Sequence, residues 1–483
     1  MMPCVRSGWV TPRLRPRHNA VAVTLMVSTA FICDAAAQET SVWPQVPEQG
    51  TTAPVDPYGA PPADATTSAM PTAAIPSDTD LRLDETQVDG RENLPQAPVD
   101  REGSTRNAAT DSSGVRLGTM ILRPSLTQSL RHETIKSGNK SESTLYSDTQ
   151  LKGTLTSDWS RHQLTVNTQG TWENVLSGDG DEGSGSAIDG ELRLDLSEQT
   201  TARLTAGYDF SREDPDADEA IAGATTQYGI HRLDAGASIE RDFGRLRGRV
   251  GIGGSRWIHT DAELAGGGSL SQSFRDRNLG TVTARLGYEV SPALIPFIEA
   301  SAGRLQYDEK VDPSGYRRSS DIYTGKVGIA ADFEDKLRGE IGVGYAMENF
   351  DDNRLDDLKA LALSGNLAWS PRYGTDVNLD LSTSFDPSSS AGTSGSVVYG
   401  GRVNVTQQLR ERLVASLTGS TDWTRYPDLD NADSTTYGAD ASLSYEINRY
   451  LAVSAGVGYE YTQRDNALDD ETIRATIGVT AKR

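Results

Sequence analysis

"INRYLAVSAGVGYEYTQRD", Ile447–Asp465, opens on a turn and then alternates. Leu451, Val453, Ala455, Val457, Tyr459 and Tyr461 share one parity. Ala452, Ser454, Gly456, Gly458, Glu460 and Thr462 share the other. A period of two is that of a β-strand, here with one apolar face that ends in two aromatic residues. The fold turns on what that face meets, a protein core or hydrocarbon.

The same alternation recurs from Val115 to Arg483. It appears in Leu192, Leu194 and Leu196, in Leu204, Ala206, Tyr208 and Phe210, and in Val327, Ile329 and Ala331. It returns in Ile473, Ala475, Ile477 and Val479. Helical periodicity is rare. The pattern predicts about eighteen strands, near twenty residues for each strand with its connection. Connections alternate in length. Short turns fall at Ser157–Gln163, Ser197–Thr201, Asp242–Arg245 and Val290–Ala293, then at Phe333–Lys336, Ser370–Gly374, Leu409–Arg412 and Ile447–Tyr450. Long polar segments such as Ser211–Gln227 and His259–Arg277 lie between them. Short turns on one side and long loops on the other are the pattern of an outer-membrane barrel.

The aromatic residues favour lipid over a core. On the apolar parity, Trp159 and Trp369 fall beside short turns, while Trp172, Trp423, Tyr459 and Tyr461 fall near long loops. Trp and Tyr have an apolar body and a polar edge, so two such bands mark the two water–lipid boundaries. The opposite parity carries both signs of charge. Arg193, Arg203, Arg247, Arg249, Arg285, Arg338, Glu340, Asp380 and Arg402 are the candidate pore-lining residues. The ninth strand fits poorly: Pro296 interrupts it, Ile295 and Phe297 compete with Leu294 and Ile298 for a face, and a bulge is expected there.

The totals narrow the class. Of 483 residues, 46 are Lys or Arg and 68 are Asp or Glu, a net charge of −22. That balance argues against a nucleic-acid partner, which needs basic patches for phosphate. The N-terminus reads as a signal peptide over 1–37: Arg6, Arg13, Arg15 and Arg17, then the apolar Ala20–Cys33, then Ala35–Ala37. Beyond it no apolar run approaches the roughly 18 residues of a membrane helix. Both cysteines, Cys4 and Cys33, lie inside the signal, so the exported chain has no disulfide. Residues 38–114 hold ten of the 21 prolines and little apolar periodicity, and read as a disordered periplasmic linker.

Four short stretches resemble the β-barrel porin 2 family of alphaproteobacterial outer-membrane proteins. They are "VRLGTMILRPSLTQSLRHET" (Val115–Thr134), "TSDWSRHQLTVNTQG" (Thr156–Gly170), "GYDFSREDPDA" (Gly207–Ala217) and "GVGYEYTQRD" (Gly456–Asp465). The resemblance implies a porin-like barrel over 115–483 and supplies no catalytic residues. One departure is the connection after the first long strand, "HETIKSGNKSES" (His132–Ser143), where many members carry an Asp-Asn pair.

Catalytic and metal chemistry is not legible. His132, His162, His231 and His259 have no zinc-ligand spacing. His259 stands two residues from Asp261 in an expected loop, where solvation is the simpler role because no nucleophile accompanies it. The acidic segment Ser177–Gly185 lacks the closing glutamate of a calcium loop. The expectation is therefore a transmembrane antiparallel up-and-down barrel, not an enzyme and without cofactor or metal. Its partners would be outer-membrane lipid and small polar solutes or ions. A barrel with a surface-structural or polysaccharide-associated role and no open conductance is the second reading. A soluble β-propeller needs four strands per forty-residue repeat, and the chain supplies two. No interface signal fixes an oligomeric state.

Overall fold

The computed structural model describes residues 114–178, 183–213, 219–264, 266–334, 336–429, 432–465 and 467–483. The signal peptide (1–37) and the linker (38–114, save Gly114) lie outside the described residues. Eighteen long strands form one antiparallel sheet. They are β1 Met120–Ser137, β2 Lys140–Ser157, β3 His162–Ser177, β4 Ser184–Ser197, β5 Thr200–Arg212 and β6 Gly229–Phe243. Next come β7 Leu246–His259, β8 Arg277–Tyr288, β9 Leu294–Tyr307, β10 Ser320–Asp332, β11 Leu337–Phe350 and β12 Leu358–Arg372. The last are β13 Thr375–Pro387, β14 Gly395–Arg410, β15 Leu413–Arg425, β16 Ser434–Asn448, β17 Leu451–Arg464 and β18 Asp470–Lys482. Each pairs with its sequence neighbour, and β18 pairs with β1 from Ser125↔Lys482 to Ser137↔Asp470. Closure leaves no strand edge, which lipid requires because nothing there can satisfy a free N–H.

Alternation decides which side faces out. Leu286, Ile298, Val327, Val343 and Leu363 lie opposite one another across five successive strands. They form one apolar row on the outer surface. Leu204, Val250, Val343 and Leu417 are 44–56% exposed, with no second layer over them. Trp159, Trp172, Trp369, Trp423 and Tyr459 are also exposed, at the two ends of this belt. Tyr461 is half-buried and donates its hydroxyl to Asp469 at 2.7 Å. Trp423 stacks on Tyr399, with ring centres 5.3 Å apart.

All eight expected short turns are present, at 158–161, 198–199, 244–245, 289–293, 333–336, 373–374, 411–412 and 449–450. Two expectations are corrected. The segment His132–Ser143 is not a loop: β1 and β2 run on as strand to a two-residue turn at Gly138–Asn139. Gly138 has φ of 59°, a left-handed conformation that a hairpin turn demands and that glycine adopts without strain. The ninth strand has no bulge: its register with β10 is unbroken through Pro296, and its register with β8 is unbroken as far as Phe297, where that pairing ends. Phe297 faces inward there because Gly328 leaves room for its ring. A Cβ at Gly328 would stand 2.4 Å from that ring.

Candidate functional site

The inner wall is built by the parity opposite to the belt, and its charges are paired. One cross-strand row runs Glu240, Arg249, Arg285, Glu299, Lys326. Arg285 reaches Glu299 at 3.0 Å and grips Glu340 with two nitrogens at 2.8 and 2.9 Å. Lys326 lies 2.9 Å from Glu299, and Arg249 lies 3.9 Å from Glu240. The guanidinium of Arg285 also sits 3.5 Å from the centre of the Phe297 ring, a cation–π contact. Arg247 binds Asp242 at 2.6 Å, Arg193 binds Asp195 at 2.9 Å, and Arg203 lies 3.8 Å from Glu191. Asp380 stands directly opposite Arg402 and accepts from Asn366 at 2.9 Å. Arg338 binds Asp332 at 3.3 Å at the short-turn end. The candidate lining residues thus fall into three places: β4–β7, β7–β11 and β12–β14.

A second cluster was not singled out in the sequence. Arg131 binds Glu133 at 2.7 Å and Asp148 at 3.1 Å, and also pairs with Glu173. Arg474 reaches Glu133 at 2.9 Å and Glu460 at 3.3 Å. The network spans β17, β18, β1, β2 and β3, so it crosses the seam where the last strand meets the first. Its side chains other than Glu460 are buried, and the Arg131 guanidinium lies 4.1 Å from the Tyr146 ring centre. The alternation Ser129, Arg131, Glu133 against Leu126 and Leu130 carries the signal.

The long-loop end departs most from expectation. Its inner face is apolar on one side: Tyr228, Ile230, Trp257, Leu279, Leu305 and Tyr307 form a buried cluster. Trp257 lies between the guanidinium groups of Arg232 and Arg277, at 5.4 and 4.8 Å. Loops fold inward over this cluster, so the inward parity meets protein there and not water. A small three-stranded sheet, Ala224–Thr226, Ala262–Leu264 and Ser269–Leu270, ties two of these loops together. His259 is corrected here. It closes β7, is buried, and bonds Asp276 (Nδ1 to Oδ1, 3.1 Å) rather than Asp261.

Two loops meet across the mouth. Residues 213–228 join β5 to β6, and residues 388–394 join β13 to β14. These connections stand eight strands apart in a ring of eighteen, close to opposite. Glu219 closes the gap. Its Oε1 accepts from Ser388 Oγ at 3.0 Å and from the Ser389 N–H at 2.9 Å. Its Oε2 accepts from Ser389 Oγ and lies 2.8 Å from Arg275 Nη2. Arg318, 4% exposed, holds the second loop from beneath, donating to Thr393 O at 2.8 Å and Ser390 O at 2.6 Å, and also to Ser388 O. A cavity of about 70 Å³ lies under this bridge, lined by Glu213, Tyr228, His259, Arg275, Arg318 and Tyr426 among others.

Burial works against the Glu219 charge, but Arg275 and the hydrogen bonds from Ser389 and Ser388 outweigh it. Its carboxyl therefore titrates below the ordinary value of 4.5. A depressed folded pKa contributes stability that is whole above the unfolded value and is lost as pH falls through the folded one. The loop bridge is accordingly expected to be unchanged between pH 7 and pH 5. A distance label across the mouth checks this, and separation already at pH 5 refutes it.

A closed 18-strand antiparallel barrel with an apolar outside and a polar, ion-paired inside is a porin-like barrel of the outer membrane. This chain belongs to the family described as Putative beta-barrel porin 2, which matches residues 108–483. It is similar in fold to OccAB4 of Acinetobacter baumannii (11% identity, TM-score 0.36, covering 78% of this chain and 100% of that one). It is also similar to OpdL of Pseudomonas aeruginosa (12%, 0.37, 76% and 99%) and to the copper transporter OprC (11%, 0.40, 76% and 82%). No curated protein sequence matches it.

Proposed function

We propose that the protein is a passive channel that admits small polar solutes across the outer membrane, without enzymatic chemistry. The observation that carries this is the inner wall: from β4 round to β14 it is lined by paired Arg, Lys, Asp and Glu, with hydroxyl and amide groups between them. Such a wall competes with water for a solute's polar groups and gives an ion a series of weak sites, which is what conduction requires. Because the charges are paired locally, their field falls off within a short distance, and strong selection by sign is not expected from the wall alone.

Refolded full-length protein in a planar bilayer tests the reading: discrete conductance steps support it, and their absence from folded protein refutes it. The double variant Arg247→Ala/Arg249→Ala leaves Asp242 and Glu240 without those cations. Its reversal potential in a salt gradient should move toward cation selectivity. An unchanged potential removes the two arginines from the conducting path.

One observation favours the second reading, a barrel with a surface-structural or polysaccharide-associated role. The bridge from Glu219 to Ser388 and Ser389 spans the mouth, and a permanently bridged mouth conducts poorly.

A further inference from the structure

We infer that Arg402 and Asp440 form a two-ended site on the inner wall that takes a small amino-acid zwitterion, its carboxylate on Arg402 and its ammonium on Asp440. This rests on the channel reading and names the solute class that the wall selects.

Arg402 is the exception among the lining arginines. Arg193, Arg203, Arg247, Arg249, Arg285 and Arg338 each reach a carboxylate within 4 Å. Among the described residues no carboxylate stands that close to Arg402, and its guanidinium makes no hydrogen bond. Asp380 lies across from it in the register, but its carboxylate accepts from Asn366. Asp440 likewise has no ion pair and no hydrogen bond among the described residues. Each nevertheless lies within the field of the other.

The register brings the two together midway along their strands. Arg402 lies across from Ser420 of β15, and Ser420 across from Gly438 of β16, two residues before Asp440. Val403, Leu417 and Tyr437 are 39–56% exposed on the outer belt, so Arg402, Ser420 and Asp440 face inward. Strands about 4.8 Å apart with a rise of about 3.4 Å per residue put the two Cα atoms about 12 Å apart. The long arginine side chain covers much of that span, and only Ser420 and Gly438 lie between. The Ser420 hydroxyl leans over Gly438, where a Cβ would stand 2.4 Å from it. What remains between the charges has the size of a small molecule.

The solute class follows from what each end lacks. At the paired arginines an incoming anion must first displace a protein carboxylate. At Arg402 and Asp440 it displaces only solvent, and no bond of the protein is lost. A lone anion on Arg402 is repelled by Asp380, Asp422 and Asp440, all of which share that arginine's field. A lone cation on Asp440 is repelled by Arg402. A zwitterion adds no net charge and makes a charge-assisted bond at each end, and its planar carboxylate matches the guanidinium fork.

Refolded full-length protein in detergent tests the site with glycine, acetate and methylammonium, whose binding is followed by ligand-observed NMR relaxation at matched ionic strength. Glycine should bind about tenfold more tightly than either single-ended ion, the factor that one further charge-assisted bond implies. Arg402→Gln and Asp440→Asn should each weaken glycine by about tenfold, and Arg402→Lys, which keeps the cation, should retain the preference over methylammonium. Neither side chain holds a protein bond, so the variants should fold as wild type, checked by heat-modifiable migration. Glycine binding no tighter than acetate and methylammonium on the wild-type chain overturns the inference, and so does wild-type affinity in both neutral variants. Entry of labelled glycine into vesicles that carry the protein is measured beside binding. Preferential binding without entry keeps the site and sinks the channel reading. Entry without preferential binding keeps the channel and overturns the site.

Discussion

Arg131→Ala is expected to destabilise the barrel by about 3–5 kcal/mol, the cost of removing one partner from a buried ion pair. Arg131 and Arg474 are the two cations of a cluster that holds four carboxylates, those of Glu133, Asp148, Glu173 and Glu460. With Arg131 gone, three buried carboxylates lose the charge that compensates their desolvation, and Arg474 alone faces all four. Such groups either take up protons or pull the strands apart to reach water. The location magnifies the effect, since the Arg474–Glu133 contact joins β18 to β1. The expected readout is a lower urea midpoint and loss of heat-modifiable migration. Replacing Glu133, Asp148 and Glu173 by Gln, Asn and Gln in the same chain should restore much of the loss, because neutral amides need no counter-charge. A midpoint equal to wild type would sink the view that this network holds the seam.

Ile252→Arg should cost about 2–4 kcal/mol, the penalty for a guanidinium on the lipid face near the bilayer midplane. Ile252 is 60% exposed and lies six residues from the short-turn end of β7, between Ala237 and Val282 on the neighbouring strands. Exposed to water, such a site would accept Arg within about 0.5 kcal/mol. The two environments thus differ by several-fold in expected cost, and unfolding from phospholipid vesicles separates them. Ile252→Val keeps the surface apolar and should be close to neutral. A neutral Ile252→Arg would mean that the belt does not face hydrocarbon.

The barrel itself was legible because a period of two leaves no freedom. Once Leu451 faces out, Val453 and Val457 must follow, and the eight short turns then fall where the alternation breaks. The ninth strand resisted because both its faces carry large apolar residues. Only the position of Gly328 on the neighbouring strand shows that Phe297 belongs inside. The ends of β1 and β2 resisted for the opposite reason. Ser, Thr, Lys and Glu there look like loop, but the Gly138–Asn139 turn lets the ladder continue into water, where polar side chains cost nothing.

The outward face of every strand but the ninth, and a strand count of about eighteen, were therefore legible in the sequence, since alternation is set by neighbours two residues apart. Closure was expected from the class and is made by β18 pairing with β1 far along the chain. The mouth was decided by tertiary structure. Glu219 and Ser389 are 170 residues apart, and no local pattern relates them; only a closed ring brings the β5–β6 loop opposite the β13–β14 loop. The inward Trp257, Leu305 and Tyr307 follow the same rule. Alternation assigns them to the interior, but whether that interior is water or folded loop depends on residues far along the chain.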